Sequence, residues 1–436
     1  MTKLRLDTSD NNRRVEVSED QRKALELLTD VSLSDLCKRN ERLLVFPPPD
    51  KGYGDEVDSL RLFTRNGDGT LATSNLMGFV GTGDISVRIR SRFATGGKDY
   101  LLHYLLQRVL AVNVYDLKHQ SASEEALDFL IYLFPQYLKA AWRQGIFKQY
   151  RTRQYNEPNM RGALDVARHL RLNVPFQGNV AYTKREYSYD NRVTQLIRHT
   201  IEYIATHRFS GGILQSDKDT AEAVAQFRQM TPGYSKQARR NVISQNLRPL
   251  AHPYFSRYAA LQRLCLQILR HEELKYGNRP DEIYGVLFDG AWLWEEYLAK
   301  LLGKVGFAHA QNKLRKGGKK LFHEGGIIYP DFYNAGCVAD AKYKRFEFDE
   351  EFKAVRADIY QLVTYLHCME RQHAALLYPT DAAQVKVRTR TLTGAGGTMR
   401  WVGVPIANEA LYEDFAKFCA QQRRHESAFS DLFRGS

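Results

Sequence analysis

The chain has 436 residues, 43% hydrophobic and 26% charged, which allows two or three domains with their own cores and argues against wholesale disorder. With 63 Lys and Arg against 50 Asp and Glu, a formal +13, it favours a polyanionic partner, nucleic acid first. Five scattered cysteines without a CxxC pair, an N-terminus without an apolar signal core and no run near the ~20 residues of a membrane span argue against a disulfide scaffold, a cysteine zinc site and a membrane protein; a soluble, cytoplasmic chain is expected.

An amphipathic segment, "DQRKALELLTDVSLSDLCKR", precedes short β runs ("RLLVF", "SLRLFTR", "TLATSNLMGFV", "DISVRIRSRF") separated by Pro, Gly, Asn and Asp. In the last run Ile85, Val87 and Ile89 alternate with Arg88 and Arg90, a half-buried strand whose basic face is either solvated or a binding surface. Residues 1–98 are therefore a β-rich region. From about Tyr100 the period turns helical through "YLLHYLLQRVL", "EEALDFLIYLFPQYLKAAWRQGIF" and "DNRVTQLIRHTIEYIATH", with "YRTRQYNEPNMRGALDV" as a polar loop, so 99–250 is a mainly helical region. The two prolines of "NLRPLAHPYF" mark a boundary. Within 251–436, "RYAALQRLCLQILRHEEL" and "LFDGAWLWEEYLAKLLGKVGF" have helical patterns. They lead to a hairpin between Asp331 and Asp340, a helix, a buried strand "AALLYP", two alternating strands and a final amphipathic helix. That order is a mixed α/β pattern, a sheet covered by helices.

The hairpin "YPDFYNAGCVADAKYK" carries the chemistry. Residues two apart in a strand share a face, so Asp340 and Lys342 project together. A turn centred on Ala335-Gly336 places Asp331 roughly opposite Asp340, and a three-residue loop with Gly336 in the left-handed region would shift that register by one; either way the two carboxylates and the ammonium converge at one end of the hairpin. Two close carboxylates repel unless a cation lies between them, and Mg²⁺ takes such oxygens while keeping several waters. With a lysine beside it, that set meets the needs of metal-assisted phosphodiester hydrolysis; a charged sheet edge is the plainer alternative. Upstream, Ala291, Glu295, Leu298 and Leu302 recur as a core-facing stripe, with Glu295 on or beside the buried side and Glu296 on a surface face. Downstream, Asp358, Gln361 and Tyr365 form a polar stripe beside Val355, Ile359, Leu362 and Leu366, which is also what the wet face of an amphipathic helix looks like. The basic loop "NKLRKGGKK" (Lys313, Arg315, Lys316, Lys319 and Lys320) suits phosphate contact or is a solvated turn.

"LWEEYL", "YPDF", "VADAKYK" and "DIYQLVTYL" follow the order and spacing of the PD-(D/E)xK nuclease fold. They resemble in particular the McrC family, endonuclease subunits of modification-dependent McrBC restriction systems. "MRGALDV" and "EYSYDNRVTQLIRHTI" add a looser likeness upstream. The resemblance implies Asp331, Asp340 and Glu295 as metal ligands, Lys342 as the catalytic lysine, and Gln361 and Tyr365 as supporting or DNA-facing residues. Trp294 stands where the family has another aromatic. It further implies Mg²⁺ (with Mn²⁺ as a substitute), DNA as substrate, and a hexameric AAA+ GTPase motor on which residues 1–98 dock. This chain has no GxxxxGK[ST] loop, so no nucleotide is expected on it. A stand-alone nuclease of repair or junction processing, and a non-catalytic DNA-binding adaptor, are the rival readings.

Overall fold

A computed structural model describes residues 4–40, 43–47, 60–95, 97–110, 122–206, 212–215, 217–274, 283–310, 317–346, 356–394 and 396–434. The first elements are β1 (Leu4–Ser9), α1 (Glu19–Ala24), α2 (Leu33–Arg39), β2 (Leu43–Phe46), β3 (Phe63–Arg65), β4 (Leu71–Thr73), β5 (Leu76–Gly81) and β6 (Ile85–Arg90). Helices α3 (Tyr100–Leu110) and α4 (Ala122–Trp142) lead to β7 (Gln149–Glu157), β8 (Ala163–Leu164), α5 (Val166–Leu172) and β9 (Val180–Ser188). Next come α6 (Arg192–Thr206), α7 (Lys218–Met230), α8 (Arg239–Gln245) and α9 (Ser256–Leu274). The chain then forms β10 (Tyr284–Asp289), α10 (Gly290–Leu302), β11 (Ala308–His309), β12 (Lys319–Phe322), β13 (Gly325–Ile328), β14 (Phe332–Tyr333) and β15 (Cys337–Ala341). It closes with α11 (Arg356–Met369), β16 (His373–Thr380), β17 (Lys386–Thr391), β18 (Thr398–Pro405) and α12 (Phe415–Asp431). Many helices start where a short polar side chain satisfies free N–H groups. Ser18 and Gln21 make a reciprocal box at α1, and Ser32, Asp165, Asp217, Asp289 and Asp414 cap α2, α5, α7, α10 and α12.

The chain divides into two compact units, one made of residues 1–126 with 278–436, the other of 127–277. The first holds two large sheets. A five-stranded sheet runs β1-β6-β5-β10-β2, with β1 parallel to β6 and β10 parallel to β2. The run through "LFDG" expected as helix is strand β10 up to Asp289; a short apolar run has no period that separates strand from buried helix. Its contact with β5 depends on two glycines at positive φ. A Cβ on Gly78 or Gly285 would come within 2.2 Å of the carbonyl oxygen of Val286 or Phe79 respectively. Leu6, Val45, Val80, Val87 and Leu287 fill the core of this sheet together with Leu33, Leu36 and Leu62. At the start of α3, the Lys98 and Tyr100 N–H groups donate to Glu409 at 3.2 and 2.8 Å. Asp99 between them is buried with φ +57°, and burial pushes its carboxyl up to about 7 against the pull of Arg88 and Arg90.

The second sheet runs β11-β14-β15-β16-β18-β17, with β15, β16 and β18 parallel and the other pairings antiparallel. Helix α11 covers β15 and β16 through Leu362, Tyr365 and Leu366 against Val338, Leu376 and Tyr378, while α10 packs on β15 and α12 on β18. The mixed α/β class expected from the sequence is what the structure shows.

In the other unit, α6 is the central helix, packed by α7, α8 and α9. From it projects an arm in which β7 pairs with β9 over nine residues, β8 adds a short third strand, and α5 lies against β9. "YRTRQYNEPNMRGALDV" was expected to be a loop. It is strand because cross-strand partners supply its hydrogen bonds. Both faces of β7 are largely wet, so no alternation marks it in the sequence. No helix among the described residues is long and apolar enough to cross a membrane.

Candidate active site

The turn between β14 and β15 is closed by Asn334, whose Oδ1 accepts the N–H groups of Gly336 at 2.9 Å and Cys337 at 2.8 Å. That turn sets the register Phe332↔Ala339 and Tyr333↔Val338, and one further step brings Asp331 opposite Asp340. Both aspartates are buried, at 8% and 2% exposure. Asp331 Oδ2 accepts the Ala341 N–H at 2.7 Å. Burial, with Asp340 and Glu295 nearby, holds the Asp331 carboxyl well above the ordinary range. Asp340 is raised as well, first by burial, although Lys342 opposes the shift.

Lys342 Nζ lies 2.7 Å from Asp340 Oδ2 and 3.6 Å from Asp358 Oδ1. The first contact is a close ion pair to a buried carboxylate oxygen. Lys342 Nζ donates to Gln361 Oε1 at 3.0 Å, Gln361 Nε2 donates to the Tyr365 hydroxyl at 2.7 Å, and that hydroxyl reaches the Tyr329 carbonyl at 3.5 Å. Burial works against the ammonium, but Asp340, Asp358 and Asp331 outweigh it and raise the Lys342 pKa. Lys342 is therefore a held cation.

Glu295 sits at the margin of the α10 stripe, whose buried members are Leu293, Trp294, Tyr297, Leu298, Leu301 and Leu302. Its Oε1 accepts from His309 Nε2 at 2.9 Å, and the His309 ring lies against Phe332. Glu296, expected on the surface, is half-buried, and its pKa is raised by burial. The helix dips far enough toward β11 to bring both acids near His309.

The structure thus gathers Asp331, Asp340, Lys342, Gln361 and Tyr365, with Glu295 close enough to act on both aspartates by charge. Among the described residues no three His, Cys, Asp or Glu side chains are already arranged to hold a metal ion. The donor chemistry still suits a hard divalent cation. Two buried, mutually repelling carboxylates are relieved by such an ion, and Mg²⁺ takes its remaining ligands from water. Lys319 and Lys320 lie on exposed β12, while Lys313, Arg315 and Lys316 lie outside the described residues.

Asp358 and His309 were not among the sequence candidates for the site. Asp358 bridges Lys342 and Lys344, with Lys344 Nζ at 2.5 Å, and the signal for it was its place on the same helical stripe as Gln361. His309 had no sequence signal.

Both segments that carry the acid–lysine centre are tied to the five-stranded sheet. The buried Tyr343 hydroxyl bonds Ser91 Oγ at 2.7 Å, and the Arg92 guanidinium lies 4.9 Å above its ring. Arg92 is paired with Asp10 at 2.6 Å and donates to Asn75 Oδ1 at 2.5 Å. The Asn75 carbonyl in turn accepts the Gly290 N–H at 2.7 Å at the start of α10. A Cβ on Gly290 would come within 2.7 Å of the Tyr343 ring, so glycine is what allows helix and strand to meet there.

Fold and site together define a mixed α/β protein with a buried acid–lysine centre beside the carboxyl end of a parallel strand. The chain belongs to the McrBC family: the family model described as "McrBC 5-methylcytosine restriction system component" matches residues 71–379. Its fold is similar to a chain in a half-complex refined from a tetradecameric assembly of Thermococcus gammatolerans McrB AAA+ hexamers with bound McrC. That match has a TM-score of 0.51 and 14% identity, covering 99% of this chain and 100% of that one. A chain of a cryo-EM structure of the Thermococcus gammatolerans McrBC complex matches with a TM-score of 0.32 and 15% identity, over 70% of this chain and 88% of that one. No curated protein matches in sequence.

Proposed function

We propose that this chain is the Mg²⁺-dependent DNA endonuclease subunit of an McrBC-like restriction complex. It cleaves phosphodiester bonds when assembled with a hexameric AAA+ GTPase, whose hydrolysis it stimulates. The observation that carries the reading is the buried Asp331–Asp340 pair with the Lys342 ammonium 2.7 Å from Asp340. Family membership and the likeness to a chain solved with McrB hexamers and bound McrC support the partner.

Asp331 and Asp340 would hold Mg²⁺, with Glu295 contributing directly or through water. The ion, when bound, supplies Lewis acidity at the scissile phosphate. Lys342 keeps its proton on Nζ, orients the attacking water and offsets charge that develops on the phosphate. Gln361, steadied by Tyr365, fixes the direction of that ammonium, and Asp358 bridges Lys342 and Lys344 and offsets their mutual repulsion. Lys320 would face the DNA backbone. The motor would dock on residues 1–98. In the other unit, Leu170, Val174 and Phe176 beside the β7–β9 arm are 59, 62 and 67% exposed, a separate apolar surface suited to a protein partner.

The test is methylated plasmid DNA incubated with the chain, its AAA+ partner, GTP and Mg²⁺. Cleavage should need every component. Asp331→Ala and Lys342→Ala should abolish it while both variants still co-elute with the partner. Undiminished cutting by the variants would leave the non-catalytic adaptor, and cutting by the chain alone with Mg²⁺ would favour the stand-alone nuclease.

A further inference from the structure

The β12–β13 hairpin ends three residues before Asp331, yet no contact of the acid–lysine centre uses it. Its register, Lys319↔Ile328, Lys320↔Ile327 and Phe322↔Gly325, puts Lys320, Phe322 and Ile327 on one face and Lys319, Leu321 and Ile328 on the other. The second face is turned inward: Ile328 packs against the cluster beneath α11, and the Lys319 ammonium lies 4.8 Å over the Tyr333 ring. The first face is turned outward, with Phe322 62% and Ile327 61% exposed beside the exposed Lys320. Two large apolar side chains held together at the end of a hairpin call for a covering partner.

Charge selects that partner. From Gln311 to Phe322 the sequence holds Lys313, Arg315, Lys316, Lys319 and Lys320 with no acidic residue, in a chain of net charge +13. A second copy of the chain meets repulsion at this face, whereas a polyanion meets attraction. Apolar Phe and Ile side chains flanked by lysines are the residue types that proteins insert against base steps in the minor groove. Ile327 precedes Asp331 by four residues, so the two lie at most ~14 Å apart, about four base-pair steps.

We infer that the β12–β13 hairpin is a DNA wedge: Phe322 and Ile327 press on the base edges of the minor groove, and Lys320 contacts a flanking phosphate. The wedge fixes where along the duplex the acid–lysine centre lies. It rests on the nuclease reading for the cut but not for the binding of DNA.

The experiment uses the full chain carrying Asp331→Asn, alone and with its AAA+ partner, and a short duplex with 2-aminopurine at successive steps. The parent should raise 2-aminopurine emission at one step. Adding Phe322→Ala with Ile327→Ala should abolish that rise and weaken DNA binding about tenfold, with the circular dichroism melt unchanged. Phe322→Trp should retain the rise. Lys320→Ala should weaken binding for all sequences and lower the salt slope by about one. Unchanged emission and affinity in the double variant overturn the wedge, as does failure of the parent to bind DNA in either setting. A shift to a smaller sedimenting species with DNA affinity intact also overturns it and makes the face a contact between copies. Failure of the nuclease reading looks different: no cleavage by the complex with native Asp331, while Phe322-dependent DNA binding persists.

Discussion

The two hairpins that follow each other in the chain, β12–β13 and β14–β15, partition their side chains in opposite ways. The first leaves Phe322 and Ile327 in water, and the second takes Asp331 and Asp340 out of it. Apolar exposure and carboxylate burial both run against the ordinary preference, and each costs free energy unless something outside the fold is added. On the proposed reading a cation would answer the buried acids and a groove the exposed ring. The pairing teaches that a site is recognised best where neighbouring segments break the burial rule in complementary directions.

The comparison is broken most severely by Lys342→Ala. Removing the held cation leaves Asp340 and Asp358 facing each other, and cleavage by the complex should fall roughly 10²–10³-fold or more. The melting temperature should fall as well, since one partner of a buried pair costs on the order of 3–5 kcal/mol to delete. Retained cleavage would show that the β14–β15 acids are only structural.

Asp99→Asn sharpens the point by asking what a buried acid does outside the site. Its folded pKa of about 7 lies above the ordinary carboxylate value, so between roughly pH 4 and 7 the native state binds more protons than the unfolded one. Stability should therefore fall as pH rises through that window and level off above it, by on the order of a few kcal/mol in total. Asparagine tolerates the positive φ and stays neutral, so the variant should lose the Asp99 share of that slope and melt with a shallower fall between pH 5 and pH 8 than the parent. A parent chain with no such slope refutes the assignment.

Asp331→Asn should separate activity from stability. Without divalent metal it removes a buried acid that Asp340 repels and should raise the melting temperature, while cleavage is lost. A lowered melting point would mean that the Ala341 N–H bond outweighs the repulsion. The smallest effect belongs to the other hairpin: Phe322→Ser, on a side already wet, should leave stability within about 0.5 kcal/mol.

The β14–β15 register was legible because its turn chemistry and acid spacing are local. Pro330, the Asn334 turn and the alternation of Asp340 with Lys342 each act within a few residues. The two-sided wet arm was not legible, since β7 depends on β9 about thirty residues away rather than on a pattern of its own. Strand β1 was missed for a related reason: its pairing with β6 is long-range. Within the site, helical periodicity put Asp358, Gln361 and Tyr365 on one stripe but did not say that Asp358 turns to the lysines. His309 joins Glu295 only through the placement of β11 beside β14, a tertiary fact that no short window of sequence contains.

The fastening of Tyr343 and Gly290 has a mechanical corollary. Lys342 precedes Tyr343 directly, and Glu295 follows Gly290 by about one and a half helical turns. Ser91, Arg92 and Asn75 hold both anchor points from one end of the neighbouring strands β5 and β6. The ammonium and the helix-borne carboxylate are thus geared to one shaft. A substitution at that end of the sheet is therefore felt by the Lys342 segment and the Glu295 helix together.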